Sequence, residues 1–243
     1  MRQLHKLGDL TGSSLQARDG EIGRLKRVYF DGHEWSVRYF IVHTGGWLLG
    51  QDVLIAPRAV IAVDSETNCL EVDLTREQVK NAPPVDTQLP VSRYYEQEYY
   101  RYYGWEPYWG SDTLASAEHY LSPSEDAEPG EPENPHLHSS GEVEGYLIHA
   151  RDGVFGHVED FILEDPGWAV RYLEIDTRNW LPGKKRLVAP AWIQAVDWTD
   201  QEVQVDLPRE TIQTAPEYDS STVISREYQV ALYRHYGFEY MEQ

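Results

Sequence analysis

The chain has 243 residues, of which 41% are hydrophobic, and a net charge of −20 from 21 basic and 41 acidic side chains. This length predicts one or two domains, and the acidic balance argues against a general affinity for nucleic-acid phosphates or anionic lipid surfaces. No run approaches the roughly 18 apolar residues of a membrane span; the N-terminus lacks the apolar stretch of a signal peptide; and the lone cysteine, Cys69, allows no internal disulfide and fits a reducing cytoplasm.

Residues 1–14 read as a short lead-in. Leu15 to Ala17 leads into the turn Arg18-Asp19-Gly20, and Ile22 to Phe30 has strand composition. Asp31-Gly32-His33-Glu34 is a hairpin signal. Trp35 to Thr44 alternates, with Trp35, Val37, Tyr39 and Ile41 on one face and Ser36 and Arg38 on the other. Val53 to Ala56 reads as a strand stopped by Pro57, and Ala59 to Val63 with Leu70 to Leu74 as a further hairpin. Thr75 to Lys80 makes one helical turn. Ser92 is the expected N-cap of a helix from Tyr94 to Tyr103, with Gly104 past its end. Residues 111–141 carry seven acidic residues and no Lys or Arg, the composition of an extended linker.

The whole plan then recurs. Shifted by 133 positions, Arg18-Asp19-Gly20 falls on Arg151-Asp152-Gly153, Ala56-Pro57 on Ala189-Pro190, Val72-Asp73-Leu74 on Val205-Asp206-Leu207, and Tyr103-Gly104 on Tyr236-Gly237. About a third of positions 17–106 match their partners, which marks a duplicated unit. The expected organisation is a first unit over 1–110, an acidic linker over 111–141 and a second unit over 142–243. Each is a set of six short strands forming a small, partly closed β-barrel with a helix after it.

The order and spacing of these pieces resemble the PRC-barrel family. The resemblance rests on Asp19-Gly20-Glu21-Ile22-Gly23, the strand Val37 to Val42, Val53-Leu54-Ile55-Ala56-Pro57, and the run Val72 to Pro83. The second copy matches through Asp152 to Gly156, Trp168 to Ile175, Leu187 to Pro190 and Val205 to Glu210. The family includes the cytoplasmic domain of the photosynthetic reaction-centre H subunit and the C-terminal domain of a ribosome-maturation factor. The resemblance implies a mainly β fold of two PRC-barrel-like barrels, used for binding and assembly without chemistry of its own. It also implies the alternatives of an accessory subunit of a membrane electron-transfer complex, reached through a partner, and of a ribosome or RNA-processing accessory.

No sequence motif argues for catalysis, a cofactor or a metal. His136-Leu137-His138 lacks a third ligand at useful spacing, and no histidine lies near Cys69 in sequence. Asp19 and Asp152 are expected to cap their own turns, Asp73 and Asp206 to end strands, and Arg38 and Arg171 to pair with an acid or stack on an aromatic ring. The most unusual stretch is aromatic. Tyr95, Tyr99, Tyr102 and Tyr103 share a helix face, and Trp105, Tyr108 and Trp109 follow it. This face packs on a barrel or forms a surface for a protein partner, a second copy of the chain included.

Overall fold

The computed structural model describes residues 2–87, 91–110, 136–177, 185–219 and 223–240. The fold is mainly β. Fourteen strands lie in one mixed sheet that stays open among the described residues. In the first half these are β1 (Gln3–Lys6), β2 (Ser14–Ala17), β3 (Gly20–Asp31), β4 (Ser36–His43), β5 (Asp52–Ile55), β6 (Val60–Asp64) and β7 (Cys69–Val72). The helices there are α1 (Leu7–Leu10), α2 (Arg76–Lys80) and α3 (Arg93–Tyr103). The second half repeats them as β8 (Leu137–Ser139), α4 (Ser140–Val143), β9 (Leu147–Ala150), β10 (Gly153–Asp165), β11 (Ala169–Asp176), β12 (Lys185–Val188), β13 (Ile193–Asp197), β14 (Glu202–Val205), α5 (Arg209–Thr214) and α6 (Arg226–His235). Pairing is antiparallel except for β2 with β7 and β14 with β9.

The caps expected from sequence are present. Ser92 Oγ accepts from Tyr95 N at 3.1 Å, Ser225 Oγ from Tyr228 N at 3.2 Å, and Gly104 takes φ 66° to end α3. Thr75 and Gln78 form a reciprocal capping box on α2. Asp19 does not cap its own turn. Its Oδ1 accepts from Arg76 N at the start of α2, and Asp152 does the same for Arg209 N in α5, each at 2.8 Å. Strand β4 also departs from a simple alternation: from Tyr39 to Val42 both faces are buried. Phe40 and Val42 point into the main core, while Tyr39 and Ile41 are covered by α3 from outside.

The two halves exchange their first strands. β1 pairs with β10 of the second half, and β8 pairs with β3 of the first, in equivalent register: His5 sits opposite Leu163, and His138 opposite Phe30. Residues 1–14 are therefore not a lead-in, and residues 137–141 belong to β8 and α4 rather than to a linker. A local twofold runs between Ser36 and Ala169, which pair with each other across the β4–β11 junction. Trp35 O accepts from Val170 N at 2.7 Å and Trp168 O from Val37 N at 2.9 Å. Both tryptophans are held at φ 53°, a left-handed conformation that costs an ordinary residue about 1 kcal/mol and persists here because the junction uses both carbonyls. One hydrophobic core spans both halves and includes Phe30, Phe40, Phe161, Trp168 and Tyr172.

Charges buried at the junction mark the second half. Lys6 Nζ lies 3.0 Å from a carboxylate oxygen of fully buried Glu174 and 3.6 Å from Asp160, whose carboxylate also accepts from Gly8 N and Phe161 N. Burial pushes the Asp160 carboxyl up to about 6, opposed by these backbone donors and by Lys6. The folded state thus binds this proton more tightly than the unfolded chain. Its ionised form costs stability above pH 6, and the cost is relieved as pH falls from about 6 toward 4. Asp160→Asn is expected to gain about 2 kcal/mol relative to the parent on going from pH 4 to pH 8, read from urea melts at each pH. An equal effect at both pH values would refute this assignment.

Candidate functional site

Helix α3 lies across the outer face of β4 and β5, and its tyrosines sort by depth. Tyr99 is fully buried. Its hydroxyl donates to Leu54 O and accepts from Ala56 N, both at 3.1 Å, and its ring meets Tyr39 edge-on at 5.3 Å. Tyr95 is half-buried and donates to Pro83 O at 3.1 Å. Tyr103 stacks on Trp105 at 4.5 Å, and Tyr100 packs edge-on against Trp109 at 5.3 Å. Tyr102 is 40% exposed, although its hydroxyl reaches Gln78 O at 2.9 Å. Tyr99 is thus interior packing, and Tyr102 is the member of the expected face that stands in solvent, beside Tyr94 at 72%. Trp105, Tyr108 and Trp109 are half-buried along the rim. Arginines fill the gaps: Arg38 sits over the Tyr108 ring at 3.8 Å, Arg93 over Trp109 at 4.3 Å and Arg58 over Trp105 at 5.0 Å.

At the centre is a group that no sequence signal singles out. Glu96 is completely buried. One carboxylate oxygen accepts from Tyr39 OH at 3.2 Å and Tyr108 OH at 2.8 Å; the other meets Arg93 at 3.0 Å and His136 Nε2 at 2.7 Å. This carboxylate ties together α3, β4, the aromatic tail and the chain entering β8. Burial, reinforced by the Glu96 charge, holds the Tyr39 and Tyr108 phenols well above the ordinary tyrosine range, and burial pushes Tyr100 up to about 12. In the second half the equivalent residue is the neutral Gln229, which accepts from Tyr172 OH at 3.1 Å and Tyr240 OH at 3.4 Å. The geometry is kept and the charge is not. The second half also changes which ring serves the strand carbonyl: Tyr236 donates to Leu187 O at 3.3 Å, because Leu232 stands where Tyr99 does.

The other residues singled out by sequence are spread out. Arg18 pairs with Asp73 (Nε to Oδ1 2.6 Å) and Arg151 with Asp206 (2.5 Å), all on the surface. Arg38 pairs with Glu34 and Arg171 with Glu164. His136 belongs to Glu96. His138 stacks on Trp198 at 3.3 Å with burial pushing it down to about 4, so it is neutral. Cys69 is half-buried at the start of β7. Among the described residues no three His, Cys, Asp or Glu side chains are grouped to hold a metal ion, and no helix is long and apolar enough to cross a membrane. No protein-family model matches the chain, and no curated protein matches it in sequence.

Proposed function

We propose that the chain is a non-catalytic binding and assembly protein built from two PRC-barrel-like units, with the α3 face and the tail 105–110 as its protein-binding surface. Within the first half the strand order β6-β7-β2-β3-β4-β5, in which a parallel β2–β7 pair joins the β6–β7 hairpin to the antiparallel run and a helix covers β4 and β5, supports the barrel reading. The observation that carries the binding reading is the rigid aromatic rim. Tyr and Trp rings interleaved with Arg are the residue types that anchor interfaces, and here they are held in place by a buried carboxylate before any partner arrives. The second half keeps the helix but not the rim, since Phe238, Met241 and Glu242 stand in the sequence where the first half has Trp105, Tyr108 and Trp109.

The test is site-specific photo-crosslinking in the native host, with a photoreactive phenylalanine at Tyr94 or Tyr102. A discrete protein adduct is expected from both positions and none from the equivalent positions on α6, Glu227 and His235. Equal adducts from both helices, or none from α3, would remove this surface from consideration.

A further inference from the structure

The duplication allows each site in one half to be compared with its counterpart in the other, and one pair differs by an entire ring. In the second half, the indole of Trp198 lies flat on His138, with centroids 3.3 Å apart and planes 3° apart. Tyr146 closes the arrangement, its ring 6.3 Å from the indole and its hydroxyl donating to Trp198 O at 3.4 Å. In the first half the histidine is retained as His5, but Ser65 occupies the Trp198 position and Ser13 the Tyr146 position. Two large rings have become two hydroxymethyl groups.

The space is not refilled. A cavity of about 360 Å³ lies there, lined by His5, Leu4, Leu10, Ser65, Leu70 and Cys69 among others. That volume lies within the range of small-molecule sites. His5 is 8% exposed, and its Nε2 has no hydrogen-bond partner, the nearest carboxylate being Asp165 at 4.0 Å. Its other neighbour is Trp168, stacked at 6.2 Å. Burial lowers its pKa, so at neutral pH it offers an uncharged ring face.

We infer that this cavity is a binding site for a planar aromatic ring, stacked on His5 as the chain's own Trp198 is stacked on His138. The occupant's class comes from the twin half, which holds an indole at the equivalent position. The buried imidazole nitrogen and the polar lining of Asp9, Asp64 and Asn68 leave places for a polar ring nitrogen or substituent, while Leu4, Leu10 and Leu70 supply apolar contact for the ring itself. The same chemistry is available from a free heterocycle or from a tryptophan side chain of a partner. The site lies at the β1 exchange and does not depend on the α3 face.

The sole cysteine reports on it directly, since Cys69 lines the cavity. The experiment is alkylation of Cys69 in the full chain with iodoacetamide, with and without indole, followed by mass spectrometry. Indole is expected to slow alkylation saturably, with a midpoint between about 10 µM and 1 mM, as suits a ligand of its size. Ser65→Trp, which installs the twin's own ring, is expected to slow alkylation without ligand and to weaken the effect of indole at least about tenfold. Ser65→Phe serves the same purpose if the larger ring disturbs folding. A capped tripeptide with a central tryptophan distinguishes the sources: stronger protection than free indole assigns a protein side chain, weaker protection a small molecule. Absence of saturable protection up to the solubility of indole, or undiminished protection in both Ser65 variants, would overturn the assignment.

Discussion

Replacing Glu96 with alanine lowers the unfolding free energy by about 3 kcal/mol, the cost of leaving a buried tyrosine hydroxyl without its acceptor and breaking a buried charge pair. Tyr39 is fully buried and has its hydroxyl bond to this carboxylate, so water cannot take over the acceptor role. Arg93 and His136 are partly exposed and keep some hydration, which is why the expected loss stays at the low end for a broken buried pair. For a chain of this size the melting midpoint falls by about 6–12 °C. Glu96→Gln is the informative companion. The second half already runs this site with Gln229 accepting from two tyrosines. Glutamine should therefore restore the acceptor, lose only the ion pairs, and cost about 1 kcal/mol. Thermal melts of the two variants decide the matter: equal losses would mean that the charge pairs, rather than the tyrosine hydroxyls, hold the cluster together.

A chain cut between residues 111 and 135 is expected to remain a single particle. Each piece carries a strand that completes the sheet of the other: β1 lies on β10 and β8 on β3. The pieces also share one core and the reciprocal Trp35 and Trp168 bonds. Their association is expected below about 1 µM, or more than about 8 kcal/mol, measurable by gel filtration of the nicked protein under dilution. Separately expressed, neither piece has the strand that covers β3 or β10. Residues 1–110 alone are expected to melt without a cooperative transition, and mixing with residues 136–243 to restore one. Two pieces that melt cooperatively and elute apart would show that the strand exchange adds nothing to stability.

The elements were legible in the sequence because local chemistry sets them: β-branched runs between Gly and Pro turns, Ser92 and Ser225 before the long helices, Gly104 after one of them. The repeat was legible because related units kept their turn residues. The strand exchange is not legible in the sequence, although a trace of it is present. Leu4-His5 and Leu137-His138 match at the same 133-residue shift, but they lie in a polar lead-in and at the end of an acidic stretch, where a short strand has no periodicity of its own. Only the partner strand supplies its hydrogen bonds. The aromatic helix is legible, yet the division of its face into buried Tyr99 and exposed Tyr102 depends on where β4 and β5 lie beneath it. Glu96 reads as an ordinary helix-surface glutamate, and its burial comes from Tyr108 and His136 closing over it from distant parts of the chain. The missing ring at Ser65 becomes visible only once Trp198 is seen lying on a histidine.

The strand exchange also orders events at the ribosome. Strand β3 is made early, yet the strand that covers it ends at residue 139, and β1 waits from the first residues until residue 165 has been made. Such distant pairings are slow to form. Through most of translation the nascent chain therefore displays an open sheet edge and an unpaired strand, and both are templates for pairing with a neighbouring copy on the same messenger. Completion of either sheet therefore needs residues from both halves.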